Sequence, residues 1–311
     1  MKFFTKSIEP IIGKAVSVVL RTKVISIHRM TYGETNYVCA VVTDKGKFII
    51  RIFGYKDKPE SSKLEWIEKQ LTKRHIPHAK LIYYSRSNKY FPYGFMISEF
   101  IEGLGGWEAI EQGKQTLAQS YAATGKILWK IHQIKLKKFG QGHGEYADFL
   151  VMELKNVQAK LKKLIAEKVI DNRIANLTIA AIKDCLIPYN KTFHPVLLHA
   201  DPARENSILT ENGEFILIDW DNAWSGIWLW DYAELSWWWM FPPVWKSEKR
   251  RIAKRSFFKG YGKIKYDLTA FNDIEHGLHL IKSVEKLYYY HFDRREAKNT
   301  NVVKKILLKL L

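Results

Sequence analysis

Residues 199–231 read HADPARENSILTENGEFILIDWDNAWSGIWLWD, with the polar residues His199, Asp201, Asn206, Asp219 and Asp231 set among apolar runs. Asp201 and Asn206 stand five residues apart on a predicted loop, too close for a core element to separate them. After Asn206 come an apolar run at 207–210, the turn Glu211-Asn212-Gly213-Glu214 and a second apolar run at 215–218, a strong hairpin signal. A hairpin folds its ends together, so Asp219 is expected to return to the neighbourhood of Asn206. These residue types suit phosphoryl transfer. That chemistry uses one carboxylate to orient the attacking hydroxyl, and an Asn and an Asp to hold Mg²⁺ against the phosphates. Asp221 reads either as a further metal ligand or as a surface acid following a strand.

The block resembles the catalytic segment of the aminoglycoside phosphotransferase and choline kinase superfamily, whose members share a protein-kinase-like fold. The family pattern His-Gly-Asp, four residues, Asn is matched by His199-Ala200-Asp201 with Asn206 in register, followed by Ile218-Asp219-Trp220. Asp231 occupies the place of a structural Asp of the family. Two positions depart from it: Ala200 replaces the usual Gly, and Ala203 stands where many members carry a second His. The resemblance implies an α+β, two-lobe fold, with a small N-terminal antiparallel sheet plus helix at 1–102 and a larger, mainly helical lobe at 103–311. It also implies an ATP- and Mg²⁺-dependent kinase acting on a small-molecule hydroxyl. Asp201 would then be the catalytic carboxylate, Asn206 and Asp219 the metal ligands, and His199 and Asp231 braces for the loop.

The first hundred residues fit the N-terminal half of that expectation. Segments 23–30, 36–43 and 47–52 are rich in Val, Ile, Tyr and Phe, with Asp44-Lys45-Gly46 as a turn, and they predict an antiparallel sheet. The turn Tyr32-Gly33-Glu34-Thr35-Asn36 resembles the family's phosphate-covering loop. Gly33 would let the backbone approach a phosphate, and Thr35 and Asn36 would donate hydrogen bonds. Arg51 takes the place of the usual phosphate-contacting Lys, as in choline kinases, and its planar fork suits phosphate oxygens. A helix is predicted at 60–73, with Leu64, Ile67 and Leu71 on its inner face. Glu65, or else Glu68, would pair with Arg51. A last strand is predicted at 95–100. By resemblance it leads into the segment between the lobes, where backbone groups from Glu99 to Ile101 would read adenine.

Downstream the pattern turns helical, at 115–134, 148–168 and 172–186, before a short strand at 196–198. His132 reads as a packed structural residue. Of the 11 tryptophans, Trp224, Trp228, Trp230, Trp237, Trp238, Trp239 and Trp245 follow the catalytic block. Aromatic faces suit a sugar ring or a quaternary ammonium, but three consecutive tryptophans on a helix cannot share one pocket.

The chain of 311 residues is 47% apolar, enough for a full core, and its two cysteines, Cys39 and Cys185, imply no disulfide framework. In the N-terminal MKFFTKSIEPIIGK, Glu9 and Pro10 interrupt any apolar run, and no segment is long and apolar enough to span a bilayer. A cytoplasmic location is expected. Net charge is +18, with eight acids against Arg204 alone between residues 199 and 234, and nine bases against Glu248 alone between 246 and 265. The basic run reads as a solvated helix face. Nucleic acid binding lacks a motif, while peripheral contact of the basic surface with lipid headgroups remains open. The amphipathic end, VVKKILLKLL, reads as a terminal helix docked on the core.

The acceptor expected first is a sugar or aminoglycoside-like compound, with choline or ethanolamine as the alternative. The alternative of another class is a catalytically inactive nucleotide- or nucleic-acid-binding protein. Oligomeric state, the choice between ATP and GTP, and acceptor identity are not written in the sequence.

Overall fold

The computed structural model describes residues 8–30, 36–54, 60–141, 144–262 and 267–311. Gly33 and Thr35 therefore lie outside the described residues. In chain order the first part comprises α1 (Glu9–Leu20), β1 (Val24–Arg29), β2 (Tyr37–Thr43), β3 (Gly46–Ile52), α2 (Ser61–Lys73), β4 (Leu81–Ser85), β5 (Phe95–Glu99), β6 (Leu104–Gly105) and α3 (Gly106–Glu111). There follow α4 (Leu117–Ile131), α5 (Phe149–Ala166), α6 (Asn172–Leu186), β7 (Val196–Leu198), β8 (Ser207–Leu209), β9 (Phe215–Leu217) and β10 (Trp224–Gly226). The chain ends with α7 (Leu229–Trp237), α8 (Ser247–Tyr261), α9 (Leu268–Tyr288) and α10 (Ala297–Leu310). They form two compact units, one of residues 1–109 with 204–221, the other of residues 110–203 with 222–311.

The first unit is built on a five-stranded antiparallel sheet ordered β1-β2-β3-β5-β4. Alternation along β2 and β3 sends Cys39, Val41, Ile50 and Ile52 into a core shared with Phe91, Phe95 and Ile97. Ile12, Ala15 and Val16 of α1 complete that core. Two elements differ from the sequence expectation. Pro10, read as an interruption, sits in the first turn of α1, where a missing N–H costs no helical hydrogen bond. Strand β4 was not foreseen, because LIYYS is too short to show a period and is only partly buried. The hairpin at 207–217 forms with the register Ser207↔Leu217, Ile208↔Ile216 and Leu209↔Phe215, and β8 also pairs with β6. Gly213 supplies the left-handed conformation of its turn, φ 81°.

The second unit is mainly helical. Thr116 caps α4 through a reciprocal capping box with Gln119. Helices α4 and α8 pack at backbone distance, because a Cβ on Gly260 would lie 1.9 Å from the Ala122 carbonyl oxygen. Helix α9, also not foreseen, runs through the interior with Phe271, Ile274, Leu278, Ile281 and Val284 buried. Residues 277–284 are buried on every side, and His279, Lys282 and Ser283 are buried among the apolar residues, so the sequence shows no clean apolar stripe. The terminal α10 buries Val303, Ile306 and Leu307, docked as its amphipathic pattern implied. Strands β7 and β10 pair antiparallel, and this small ribbon delivers the chain into residues 199–203.

Candidate active site

In the second unit the loop after β7 is held by a buried carboxylate. Asp231, fully buried in the first turn of α7, accepts the N–H of Ala200 at Oδ1 (2.7 Å) and the N–H of His199 at Oδ2 (3.0 Å). The same Oδ2 contacts His132 Nε2 at 3.0 Å, and His132 Nδ1 meets the Tyr261 hydroxyl at 2.8 Å. Burial and the Asp231 charge push the Tyr261 phenol well up, which keeps its proton in place. His199 is fully buried, and its Nδ1 accepts the N–H of Asp201 at 3.3 Å. Asp201 is therefore presented, half-buried, at the end of a segment whose two preceding peptides are fixed. Ala200 has φ 67°, the left-handed conformation that glycine adopts without strain.

In the first unit the hairpin brings Asn206 and Asp219 together, as Ile218 donates its N–H to the Asn206 carbonyl at 2.9 Å. Asp219 also takes a left-handed conformation, φ 65°, which an Asp tolerates better than most side chains. Arg51 donates Nη1–H to Asp219 Oδ1 at 2.8 Å and pairs through Nη2 with Asp221. Lys63, in the first turn of α2, donates Nζ–H to the Asp221 carbonyl at 2.8 Å. Burial raises the Asp221 carboxyl above its ordinary value even though Arg51 pulls it down, and burial lowers the Lys63 ammonium.

The acidic partners of Arg51 thus come from the loop after β9 rather than from α2. Glu65 stands exposed on α2, and Glu68 accepts the N–H of Leu81 at 2.9 Å, tying α2 to β4. The helical register points Leu64, Ile67 and Leu71 inward and leaves Glu65 outside that stripe. Asp221, for which a surface position was one reading, is largely buried, with 13% of its side chain exposed.

Asn36 is buried beside β2. Glu99 donates its N–H to the Lys80 carbonyl at 2.9 Å, so that backbone donor is engaged within the unit. Its side chain lines an open cavity of about 530 Å³ with Lys45, Lys47, Lys80 and Phe100. Ile101 is half-buried and follows directly.

Sequence reasoning missed two features of this site. Lys63 stands four residues before Ile67, hence beside the buried stripe, and that spacing was the available signal. The second is a clamp on the segment before Asn206: the Arg204 guanidinium lies 3.9 Å from the Trp107 ring centroid, and Trp107 Nε1–H donates to Glu205 at 2.6 Å. No local pattern links residue 107 to residue 204.

Asn206 and Asp219 provide a neutral and an anionic oxygen donor on adjacent strand ends. Among the described residues no three His, Cys, Asp or Glu side chains gather as a metal cage. Mg²⁺ fits such a sparse set, because it keeps several waters and is held by one or two carboxylates together with substrate phosphates.

Comparison with known proteins bears on the family and the fold. Comparison with curated proteins finds no match. Among solved structures, a thermostable mutant of aminoglycoside phosphotransferase APH(4)-Ia, in ternary complex with ADP and hygromycin B, superposes with a TM-score of 0.68 at 16% identity, covering 95% of this chain and 97% of that one. Choline kinase LicA from Streptococcus pneumoniae gives 0.66 at 17% identity, covering 97% and 98%. A putative fructosamine-3-kinase from Haemophilus somnus 129PT gives 0.66 at 13% identity, covering 96% of each chain. At such identities the likeness shows the fold, which is kinase-like. The sequence model of the phosphotransferase enzyme family matches residues 26–265. With a match over most of its length, the chain belongs to the phosphotransferase enzyme family.

Proposed function

We propose that this protein transfers the γ-phosphoryl group of ATP, with Mg²⁺, to a hydroxyl group of a small molecule. The observation that carries the reading is the cluster formed by Arg51, Asp219 and Asp221 beside Asn206, a cation and oxygen donors of the kind a nucleotide triphosphate with its metal requires. Relatives crystallised with ADP or with AMP-PNP support a nucleotide as phosphoryl donor.

In this reading Asp201 orients the acceptor hydroxyl and takes its proton as the oxygen bonds to the γ-phosphorus and the bond to the ADP oxygen breaks. Asn206 and Asp219 hold Mg²⁺, which when bound supplies neutralisation of the phosphate charge. Arg51 turns from Asp219 and Asp221 toward the phosphates, while Lys63 keeps the 221 backbone in place. His199 and Asp231 fix the loop on which Asp201 sits. Asn36, with Gly33 and Thr35, covers the phosphates, and the backbone from Glu99 to Ile101 reads the base. The acceptor is a sugar-type hydroxyl compound, and the reaction takes place in the cytoplasm.

The test is ADP release from ATP in the presence of Mg²⁺ and a panel of hydroxyl compounds, by wild type and by Asp201→Asn. An acceptor-stimulated rate that falls by about 10³-fold in the variant, with ATP-induced thermal stabilisation retained, is the expected outcome. Chelation of Mg²⁺ abolishes the wild-type rate. Equal rates in the two proteins would remove Asp201 from the chemistry.

A further inference from the structure

Helix α7 carries Asp231 and Glu234 three residues apart, hence on one face. Asp231 anchors the peptides that present Asp201, so Glu234 stands one turn along from that anchor. Glu234 accepts Lys282 Nζ–H at Oε2 (2.7 Å), Lys286 Nζ–H at Oε1 (2.7 Å) and Trp238 Nε1–H at Oε1 (3.0 Å). One carboxylate thus serves two ammonium groups, an excess of one positive charge among these three residues, with the Asp201 and Glu285 carboxylates also acting on Lys286. Lys282 is buried, whereas Lys286 keeps 23% of its side chain exposed. Burial works against the Lys286 charge, but Glu234 outweighs it and the Asp201 carboxylate adds to the effect, so the ammonium stays protonated. A lysine has three N–H donors, and Glu234 is the hydrogen-bond partner of this one among the described residues.

The tryptophans after the catalytic block also carry ammonium groups on their rings. Lys282 lies 3.9 Å from the Trp230 centroid, Lys286 lies 4.8 Å from Trp238 and Lys249 lies 4.2 Å from Trp245. Trp237 and Trp239 are core residues, donating to Ser283 and to Tyr121. A quaternary ammonium or a polycation seeking these aromatic faces meets a like charge already there.

We propose that the acceptor of this enzyme is anionic, a hydroxyl compound bearing a carboxylate or phosphate group, and that Lys286 beside Trp238 binds that group while Asp201 receives the hydroxyl. This rests on the kinase reading above. Sugar acids, hydroxy acids and sugar phosphates share the required chemistry.

The experiment compares wild type, Lys286→Met and Lys286→Arg in Mg²⁺-dependent ADP release. The panel pairs gluconate and glycerate (carboxylates) and sugar phosphates with their uncharged counterparts, glucose and glycerol, and adds choline and kanamycin. Melting curves accompany each protein. Lys286→Met leaves Glu234 paired with Lys282, and Lys286→Gln serves as the second neutral variant should the Met protein not fold.

The expected result is turnover of an anionic acceptor, with KM raised at least about 10-fold in Lys286→Met, kcat changed less than about 3-fold, and KM largely restored in Lys286→Arg. The carboxylate and phosphate arms decide which group is read. A neutral or cationic best acceptor, or an anionic one whose KM ignores Lys286→Met, overturns the inference. So does the absence of turnover with any anionic compound while ATP-Mg²⁺ still raises the melting temperature, and the kinase reading then survives. If ATP-Mg²⁺ neither stabilises the protein nor is consumed, the kinase reading itself fails.

Discussion

Replacing Asp231 by Asn keeps the size of the side chain and removes its charge, which isolates the role of this buried carboxylate. Asp231 receives three hydrogen bonds, one at Oδ1 from Ala200 and two at Oδ2 from His199 and His132. The best orientation of the amide keeps its oxygen on the latter pair and turns its NH₂ toward the Ala200 N–H, donor against donor. One charge-assisted bond is lost, at about 2 kcal/mol, and two others fall to neutral strength, at about 0.5–1 kcal/mol each. The expected destabilisation is about 3–4 kcal/mol. At about 2 °C per kcal/mol for a chain of this size, the melting temperature drops by about 6–8 °C. Since the same bonds fix the peptides before Asp201, kcat falls by about 10²-fold at saturating ATP. Differential scanning calorimetry paired with the ADP-release assay measures both. A variant that melts within about 2 °C of wild type and turns over normally would refute the bracing role.

Three other outcomes follow from the geometry. Ala200→Gly relieves the φ of 67° and raises stability by about 0.5–1 kcal/mol in chemical denaturation, because the left-handed strain removed exceeds the added freedom of the unfolded chain. Gly260→Ala places a methyl 1.9 Å from the Ala122 carbonyl oxygen, forces α4 from α8 and costs about 3 kcal/mol or more, read as a lower urea midpoint at unchanged slope. Glu153, 2% exposed on α5, is raised from 4.5 to about 8 by burial and by Glu285, against the pull of Lys160 and Lys282. The folded state then holds a proton that the unfolded chain releases, so stability declines as pH rises between about 4.5 and 8, and Glu153→Gln flattens that decline in melting curves taken across the range.

What could be read along the chain was what is decided within a few residues of it. The hairpin that returns Asp219 to Asn206 rests on an Asn-Gly turn between two apolar runs, and the helix at 61–73 rests on a stripe at Leu64, Ile67 and Leu71. Both depend on backbone sterics and hydrophobic period, which sequence displays directly. The left-handed φ at Ala200 was visible only as a departure from the family's Gly and acquired a physical meaning with the structure. Tertiary packing alone decided that Arg51 pairs with Asp219 and Asp221, 168 and 170 residues away, rather than with Glu65. It also decided that Lys63 holds the 221 backbone, that Trp107 clamps Arg204, and that lysines of α9 cover two of the tryptophan faces after the catalytic block. A side chain's charge and shape are written in its position, but its partner is whichever group the folded core leaves within reach, and that depends on all the packing between them.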